Sequence, residues 1–207
     1  MKILAVSDRI VEHIYSNSIQ ERYGDIDFVV SCGDLPNYYL EFIVSSLNKP
    51  LFYVMGNHCT GKIYTESGQK DALPEGCINL DNNIIEYKNV IIAGLEGSMK
   101  YSGEKHQYTD FQMNWKINRL KPQLYLNKLF KKRFVDILVT HAPPFHIHDG
   151  EDLCHRGFKG FFRFIETYQP KYLIHGHIHL YGTGRDRETL TGKTRVVNAF
   201  GFRVIEI

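Results

Sequence analysis

Five short apolar runs constrain the fold of this chain more than any other feature of its sequence. The runs are rich in β-branched residues and end at turn-forming residues, as buried β-strands do. Candidate helices lie between several of them, at about 11–22, 37–48 and 157–168. Strand–helix alternation of this kind is typical of a largely parallel sheet that is covered on both faces. The apolar runs are residues 2–6, 27–31, 51–55, 135–139 and 171–174.

Other stretches of the chain predict antiparallel pairing. Residues 83–87 and 90–94 flank Lys88 and Asn89, which together are a hairpin signal. The tail alternates short extended runs with turn residues, so we expect a meander that closes a second sheet. The runs of the tail are residues 185–190, 195–199 and 202–207.

Residues 109–133 are predicted to form a helical insertion. Thr109 and Gln112 have the spacing of a capping box, in which each side chain bonds to the backbone of the other residue. Pro122 is expected to divide the insertion into two helices, because proline lacks the N–H that a helix interior needs. The large apolar residues of the insertion are expected to pack in the core, and they are Phe111, Trp115, Leu126, Leu129 and Phe130.

Length and charge narrow the classes of function. A chain of 207 residues fits one domain spanning 1–207. The formal net charge is only +2, which argues against nucleic acid and membrane surfaces as partners. No apolar run approaches the roughly 18 residues of a membrane span. Asp8 also comes too early for the apolar part of a signal peptide, so we expect a cytoplasmic protein.

Each of the five apolar runs is followed by a side chain that can bind a metal. In an open α/β sheet, ligands bind beyond the carboxyl ends of the strands, so these side chains should meet in one crevice. His177 and His179 are two residues apart and share one face of an extended segment. The candidate ligands are Asp8, Asp34, Asn57, His141, His177 and His179.

This set of ligand types points to a particular chemistry. Two carboxylates, one amide oxygen and three imidazoles suit a pair of divalent cations such as Mn, Fe or Zn. Two cations roughly 3.5–4 Å apart can clamp a phosphoryl group and generate hydroxide at neutral pH. With two aspartates and one bridging hydroxide, such a centre carries about +1 charge and attracts a phosphate ester. The residues therefore predict a metal-dependent phosphoesterase.

The motifs resemble those of the calcineurin-like metallophosphoesterase superfamily, in its small single-domain bacterial and archaeal type. The resemblance implies a four-layer α/β/β/α sandwich with two central mixed sheets. It also implies a hydrolase, either a phosphatase or a phosphodiesterase, in which a metal-bound hydroxide attacks phosphorus. The motifs span residues 8–179 and are Asp8, Gly33-Asp34, Gly56-Asn57-His58, Thr140-His141 and Gly176-His177-Ile178-His179.

The resemblance assigns a role to each matching residue. Asp34 would bridge both metals, while Asp8 and His179 would hold the first metal. The second metal would be held by Asn57, His141 and His177. His58 would lie beside the phosphate and protonate the leaving group, and Asn57 would help to stabilise the charge of the transition state.

Two positions depart from the family pattern. The first motif usually reads Asp-x-His, but here Ile10 stands in the histidine position and cannot bind metal. We expect a weaker, more hydrated first site that takes Mn²⁺ or Mg²⁺; the alternative is a degenerate site in a mononuclear or inactive protein. His13 is a further candidate replacement. Cys59 follows His58 where the family commonly has a carboxylate, so the protonation state of His58 is left open.

The segment after His141 is a candidate rim of the active site. Asp149, His155 and Arg156 are predicted substrate contacts, and Arg156 has the geometry to bind a phosphate oxygen in a bidentate manner. The alternative is a rigid loop whose polar residues cap the helix at 157–168. His175 is expected to orient a ligand rather than bind metal. Loop 95–108 is either a lid or a solvated loop.

The favoured function is hydrolysis of a small phosphate ester. A nuclease remains an alternative, as does a non-catalytic interaction module resembling the retromer-subunit members of the superfamily. An apolar patch over the crevice would favour the module, and an open polar pocket would favour the enzyme. The sequence makes no prediction about the oligomeric state.

Overall fold

Two mixed sheets stack face to face and are covered by helices on their outer faces. The computed structural model describes residues 1–58, 62–65, 68–181 and 186–207, with the backbone alone for 62–65 and 68–71. The helices are α1 (Ile19–Tyr23), α2 (Asn37–Leu47), α3 (Asp110–Lys131) and α4 (Lys159–Tyr168). The strands are β1 (Lys2–Ser7), β2 (Phe28–Ser31), β3 (Leu51–Tyr53), β4 (Lys62–Thr65), β5 (Gly68–Asp71), β6 (Ile78–Asn79), β7 (Ile84–Tyr87), β8 (Val90–Leu95), β9 (Ser98–Met99), β10 (Gln107–Tyr108), β11 (Ile137–Thr140), β12 (Tyr172–His175), β13 (Glu188–Thr191), β14 (Thr194–Asn198) and β15 (Gly201–Glu206).

Both large sheets are mainly parallel. The first has the strand order β15-β1-β2-β3-β6, in which only β15 runs antiparallel to its neighbour. The second has the order β13-β14-β12-β11-β8-β7, with antiparallel strands at its two edges. The predicted hairpin is confirmed as β7 and β8, which pair antiparallel around Lys88 and Asn89.

The alternation of side chains along each strand explains the layers. In β1, Ile3 and Ala5 face the second sheet, whereas Leu4 and Val6 face the cluster formed with α1 and α2. In the second sheet, Leu138 packs in the cluster that includes residues of α3 and α4. Both faces of these strands are buried, which is why their sequences are continuously apolar. The expected α/β/β/α sandwich is confirmed.

Two elements near the chain ends differ from the prediction. The helix expected at 11–22 is reduced to α1, because Ser16 bonds to the His13 carbonyl and to Ser18 and so competes with helical hydrogen bonds. The tail does not close one sheet. Instead β13 and β14 join the second sheet, and β15 crosses to the first, aided by Gly201 at φ +73°.

The insertion is one continuous helix, so the predicted division at Pro122 is wrong. The capping box at Thr109 and Gln112 is confirmed by both of its hydrogen bonds. Pro122 lies on the exposed side of α3, and the buried side chains of Leu120 and Leu124 anchor the turns on either side of it. Tertiary packing therefore outweighs the lost backbone hydrogen bond.

The large apolar side chains of α3 are also not where the sequence predicted. The face of α3 that packs on the second sheet is formed by Met113, Ile117, Leu120 and Leu124. The residues expected in the core point to solvent instead. Their relative exposures are 80% for Phe111, 56% for Trp115, 53% for Leu126, 62% for Leu129 and 75% for Phe130.

Among the described residues, no helix is both long enough and apolar enough to cross a lipid bilayer.

Candidate metal centre

The predicted ligands lie where the carboxyl edges of the two sheets meet. Asp8, Asp34 and Asn57 follow β1, β2 and β3 of the first sheet. His141 follows β11 of the second sheet, and His177 and His179 follow β12. Hydrogen bonds and short contacts join all six in one network, so the centre depends on both sheets at once.

The backbone turns sharply at three of these residues. Asp8, Asp34 and His177 have φ values of 62°, 54° and 66°, in the left-handed region that few non-glycine residues adopt. Glycines next to the ligands allow close approach: a Cβ on Gly176 would lie 2.6 Å from Asp8 Oδ2. Backbone strain of this kind is concentrated at functional sites because the surrounding structure must hold it.

Three ligands form a compact and largely buried donor cluster. One donor atom each from Asp34, His141 and His177 lies within 4.8 Å of the others. His141 Nε2 is 3.3 Å from Asp34 Oδ2 and 3.0 Å from Asn57 Oδ1. These are the residues expected at the second metal.

Backbone carbonyls orient the two buried imidazoles. His141 Nδ1 donates to the Cys32 carbonyl at 2.7 Å, and His177 Nε2 donates to the Cys154 carbonyl at 2.8 Å. In the neutral tautomers set by this network, the lone pairs of His141 Nε2 and His177 Nδ1 remain for a metal. The Cys154 carbonyl was not foreseen, because any residue type can supply a carbonyl.

The electrostatics of the cluster are dominated by the pair formed by Asp34 and His141. Burial would raise the pKa of Asp34, but the charge and hydrogen bond of His141 hold it well below its usual range. Burial would lower the pKa of His141, but Asp34 outweighs it and raises that pKa to about 9. Burial and the nearby His141 lower the pKa of His177 to about 4. A proton on His141 thus balances the negative charge of Asp34.

The first site is more open. The Asp8 carboxylate is fully buried and accepts the His177 N–H through both oxygens, each at 3.0 Å. His179 Nε2 is 3.7 Å from Asp8 Oδ1, its side chain is 44% exposed, and its contact with Asp8 raises its pKa. Ile10 packs against the apolar cluster of α1 and α2. His13 packs against aromatic rings, and no contact among the described residues joins it to Asp8.

A family model for calcineurin-like phosphoesterases matches residues 1–181. The chain belongs to the calcineurin-like phosphoesterase family. Members of this family are generally hydrolases and typically bind two divalent metal ions, and the centre described above fits that pattern. A search of the curated proteins gave no match.

Solved structures share the fold at low sequence identity. TT1561 of Thermus thermophilus has a TM-score of 0.63 and 17% identity, covering 96% of this chain and 88% of that chain. Phosphopantetheinyl hydrolase (PptH) from Mycobacterium tuberculosis has a TM-score of 0.57 and 12% identity, covering 96% and 88%. GAP50, the anchor in the inner membrane complex of Plasmodium, has a TM-score of 0.54 and 13% identity, covering 96% and 70%.

The residue matching the family's catalytic histidine lies at the mouth of the centre. His58 is exposed, and its backbone N–H donates to Asp34 Oδ1 at 2.8 Å. Asn57 Nδ2 donates to the Tyr101 hydroxyl at 3.2 Å, so loop 95–108 contributes a side chain to the centre. Cys59 lies outside the described residues.

A cavity of about 1050 Å³ opens beside His179. His155 lines it, with its ring centroid 5.3 Å from that of His177 and its Nδ1 bonded to Asp152. Asp149 also lines it, and its carboxylate accepts the Gly157 N–H at 3.1 Å. Arg156 is exposed, is not part of the lining, and forms no hydrogen bond or ion pair with the described residues.

His175 is buried at the end of β12, and its hydrogen bonds go to groups outside the donor cluster. Its Nδ1 donates to the Gly176 carbonyl at 2.9 Å, and its Nε2 accepts from His148 Nδ1 at 2.9 Å. His148 Nε2 in turn accepts from the Thr189 hydroxyl at 2.9 Å. Burial lowers the pKa of His175 to about 3, so the ring is neutral. Both of its nitrogens are engaged by groups other than the predicted ligands, so its role in orienting a ligand stays a prediction.

Proposed function

We propose that this protein is a metal-dependent phosphoesterase that hydrolyses a small phosphate ester. One observation carries the proposal: Asp34, His141 and His177 converge with donor atoms within 4.8 Å, and backbone carbonyls leave one imidazole lone pair of each histidine for a metal. A site that served only to stabilise the fold would have no need of three buried polar donors that face one another.

The donor set suits two divalent cations, with Mn, Fe or Zn as the candidates. Asp8 and His179 would hold the first, and Asn57, His141 and His177 the second. Asp34 is suited to contact both, since its Oδ1 is fixed by the His58 N–H while its Oδ2 faces His141. When bound, such a pair supplies positive charge at the phosphoryl oxygens and a nucleophile of lowered pKa.

Two residues, His58 and Asn57, would deliver the proton and position the phosphoryl group. His58 is exposed at the mouth of the centre, where its imidazole can deliver a proton to the departing oxygen. Asn57 is held on both sides, by His141 and by Tyr101, and this fixes its amide beside the phosphoryl group. Ile10 makes the first site the weaker of the two, because it removes one imidazole ligand.

The cavity beside His179 favours a small ester over nucleic acid. Its lining includes acidic side chains, which repel a polyanionic backbone that extends beyond the scissile phosphate. Its size suits a leaving group of small-molecule dimensions. Both phosphomonoesters and phosphodiesters remain candidate substrates. The acidic residues in the lining are Asp149, Glu151, Asp152 and Asp186.

The second candidate is a non-catalytic interaction module, and Ile10 is the observation that favours it. The open cavity supports the enzyme instead, since its lining includes four acidic residues and the histidines His155 and His179 beside the donor cluster. The exposed apolar residues of α3 are not part of that lining.

Metal content and metal-dependent turnover together test the proposal. We would measure bound metals by mass spectrometry and Mn²⁺-dependent hydrolysis of p-nitrophenyl phosphate and bis-p-nitrophenyl phosphate. Asp34→Asn should lose at least about 100-fold in turnover. Asp25→Asn is the matched control, because Asp25 forms only a surface pair with Lys2. Absence of metal-dependent turnover of both reporters by the wild type would contradict the enzyme and favour the module.

A further inference from the structure

A second group of metal-binding side chains lies on the loop that follows β11. Asp152, Cys154 and His155 each offer one donor atom, and these three atoms lie within 4.8 Å of one another. This group, the rim cluster, shares no residue with the donor cluster of the metal centre. A carboxylate, a thiol and an imidazole therefore converge within four consecutive residues. All three are ordinary ligands of zinc in proteins.

Hydrogen bonds within the loop bring the side chains of the rim cluster together. Asp152 Oδ1 accepts the His155 N–H at 3.1 Å, and the Gly150 N–H donates to the His155 carbonyl at 2.9 Å. A Cβ on Gly150 would lie 2.8 Å from the Cβ of His155, so a larger residue would obstruct this closure. The closed loop leaves His155 Nδ1 only 2.8 Å from Asp152 Oδ2.

The rim cluster is joined to the metal centre by its backbone and by Tyr101. The Cys154 carbonyl accepts from His177 Nε2 at 2.8 Å, and the His155 ring centroid is 5.3 Å from that of His177. The Tyr101 hydroxyl hydrogen-bonds to the Cys154 side chain. Outer hydrogen bonds of this kind hold metal ligands in place. Neighbouring parts of the fold therefore fix the position of Cys154.

We propose that the rim cluster binds a zinc ion in addition to the metals of the centre. Cys154 supplies a thiolate, which selects a borderline-soft cation such as Zn²⁺ over Mg²⁺ or Mn²⁺. On binding, the thiol proton passes to solvent, and an S–Zn bond replaces the S–H bond. Water completes the fourth position, as in other zinc sites with three protein ligands. Because the Cys154 carbonyl bonds to His177, zinc at the rim cluster also restrains a proposed ligand of the second metal.

The donor atoms of the rim cluster need only a small adjustment to hold zinc. Zn–N and Zn–O bonds of about 2.0 Å at a tetrahedral angle separate the two ligand atoms by about 3.3 Å. His155 Nδ1 and Asp152 Oδ2 are 2.8 Å apart, so they must separate by a further ~0.5 Å. The two side chains are 45% and 60% exposed, so rotation about their side-chain bonds can supply this shift.

The hydrogen bonding of an ordinary turn does not account for the rim cluster. A turn at Asp152 requires only the bond from the His155 N–H to the carboxylate. Here the His155 imidazole also faces that carboxylate, and the Cys154 thiol lies within reach of both groups. A mixed set of oxygen, nitrogen and sulfur donors distinguishes a zinc site from a cluster of surface acids.

Cobalt titration of the metal-free full chain tests the proposal, with circular dichroism to verify folding. Co²⁺ takes the place of zinc and absorbs strongly in the near ultraviolet when a thiolate binds it. None of the six ligands predicted for the metal centre contains sulfur, so this thiolate band reports the rim cluster. We expect the band in the wild type, its loss in Cys154→Ser, and its displacement by Zn²⁺ but not by Mg²⁺. Asp152→Asn and His155→Gln should each raise the cobalt dissociation constant at least about tenfold, since each removes a direct ligand.

Three further variants separate the rim cluster from its surroundings. Glu151→Gln is the matched control and should bind cobalt as the wild type does, since Glu151 lines the same cavity but is not in the cluster. Asp34→Asn should lose turnover but keep the thiolate band, so failure of the metal centre and failure of this proposal are distinguishable. Cys59→Ser should also keep the band. The proposal is overturned if the wild type has no band, if the band survives in Cys154→Ser or is lost in Cys59→Ser, or if Glu151→Gln weakens cobalt binding as much as Asp152→Asn.

Discussion

Protonation of His141 should compete with metal binding at the second site. This imidazole is fully buried, and its Nε2 is 3.3 Å from Asp34 Oδ2. Burial acts to lower its pKa, but the carboxylate of Asp34 outweighs burial and raises the pKa to about 9. A metal-bound imidazole must be neutral at the ligating nitrogen, so metal binding near neutral pH displaces this proton.

The size of the effect follows from that pKa. Below about pH 9 the apparent metal affinity should fall tenfold per pH unit, or about 100-fold between pH 8.5 and pH 6.5. In the metal-free protein, a rise in pH has the opposite effect: it lowers the stability of the fold. The folded pKa of His141 exceeds its ordinary value of 6.5, so its stabilising contribution is full below 6.5 and is lost as the pH rises through 9. The loss is at most about 3 kcal/mol.

Asp34 and two buried histidines act at the acid end of the pH range. The folded pKa of Asp34 lies below the ordinary value of 3.8, so its contribution is present above 3.8 and is lost as the pH falls. The folded pKa values of His177 and His175, about 4 and about 3, lie below the ordinary 6.5, so protonation of the unfolded chain destabilises the fold as the pH falls below 6.5. The metal-free protein should therefore be most stable near pH 6.5, and added Mn²⁺ should extend this optimum upward.

Calorimetry measures the displaced proton directly. Mn²⁺ titrations at pH 7 in three buffers of different ionisation enthalpy give the number of protons released. His179 also has a raised pKa, so the informative quantity is the difference between the wild type and His141→Gln, which should be about one proton. His13→Gln is the control, because its ring packs against Tyr23 and Phe202. Equal release by the wild type and His141→Gln, or a metal-free protein that gains stability from pH 6.5 to pH 9, would contradict this competition.

Three further predictions concern other parts of the centre. Gly56→Ala places a Cβ in overlap with Asp34 Oδ1 and should weaken metal binding at least tenfold by calorimetry. Gly192→Ala, which is strained by its φ of +59° but lies in the turn between β13 and β14, should not. Ile10→His should tighten the first site, and an unchanged metal stoichiometry and affinity would mean that another residue already fills the position. His58→Gln should lower kcat by about 100-fold or more for an alkyl phosphate but much less for p-nitrophenyl phosphate, whose leaving group needs no proton. An equal loss on both substrates would argue against a proton donor.

Local patterns were sufficient to predict where the ligands lie. Apolar runs with turn residues at their ends mark β1, β2 and β3, and Asp8, Asp34 and Asn57 follow these strands within four residues. The sequence placed His177 and His179 on an extended segment, but β12 ends at His175 and His177 has a left-handed φ of 66°, so the local conformation differs from that prediction. Their position after a strand, and with it the donor cluster, still followed from the sequence once the strands were placed.

Features that depend on the rest of the fold could not be predicted in this way. Helix α3 has two apolar faces, one containing Met113 and Leu124 and the other containing Phe111 and Trp115, and periodicity cannot tell which face packs on the sheet. The carbonyl of Cys154 that orients His177 has no signature in sequence, since every residue type has a carbonyl. Pro122 suggested a helix break because the sequence shows that proline removes a backbone hydrogen bond. The sequence does not show the tertiary packing that compensates for this loss.

The two proposed metal sites of the centre differ in how firmly their side chains are held before a metal binds. At the second site, bonds to backbone carbonyls fix His141 and His177 before any metal arrives, so little ordering is required on binding. At the first site, His179 is half exposed, stands 3.7 Å from Asp8, and has no imidazole partner at position 10. We therefore expect the second site to fill first and the first site to fill at higher metal concentration. Since both cations are needed to clamp a phosphoryl group, we expect turnover to follow occupancy of the weaker site, and with Ile10 at the histidine position it should rise with the concentration of added metal.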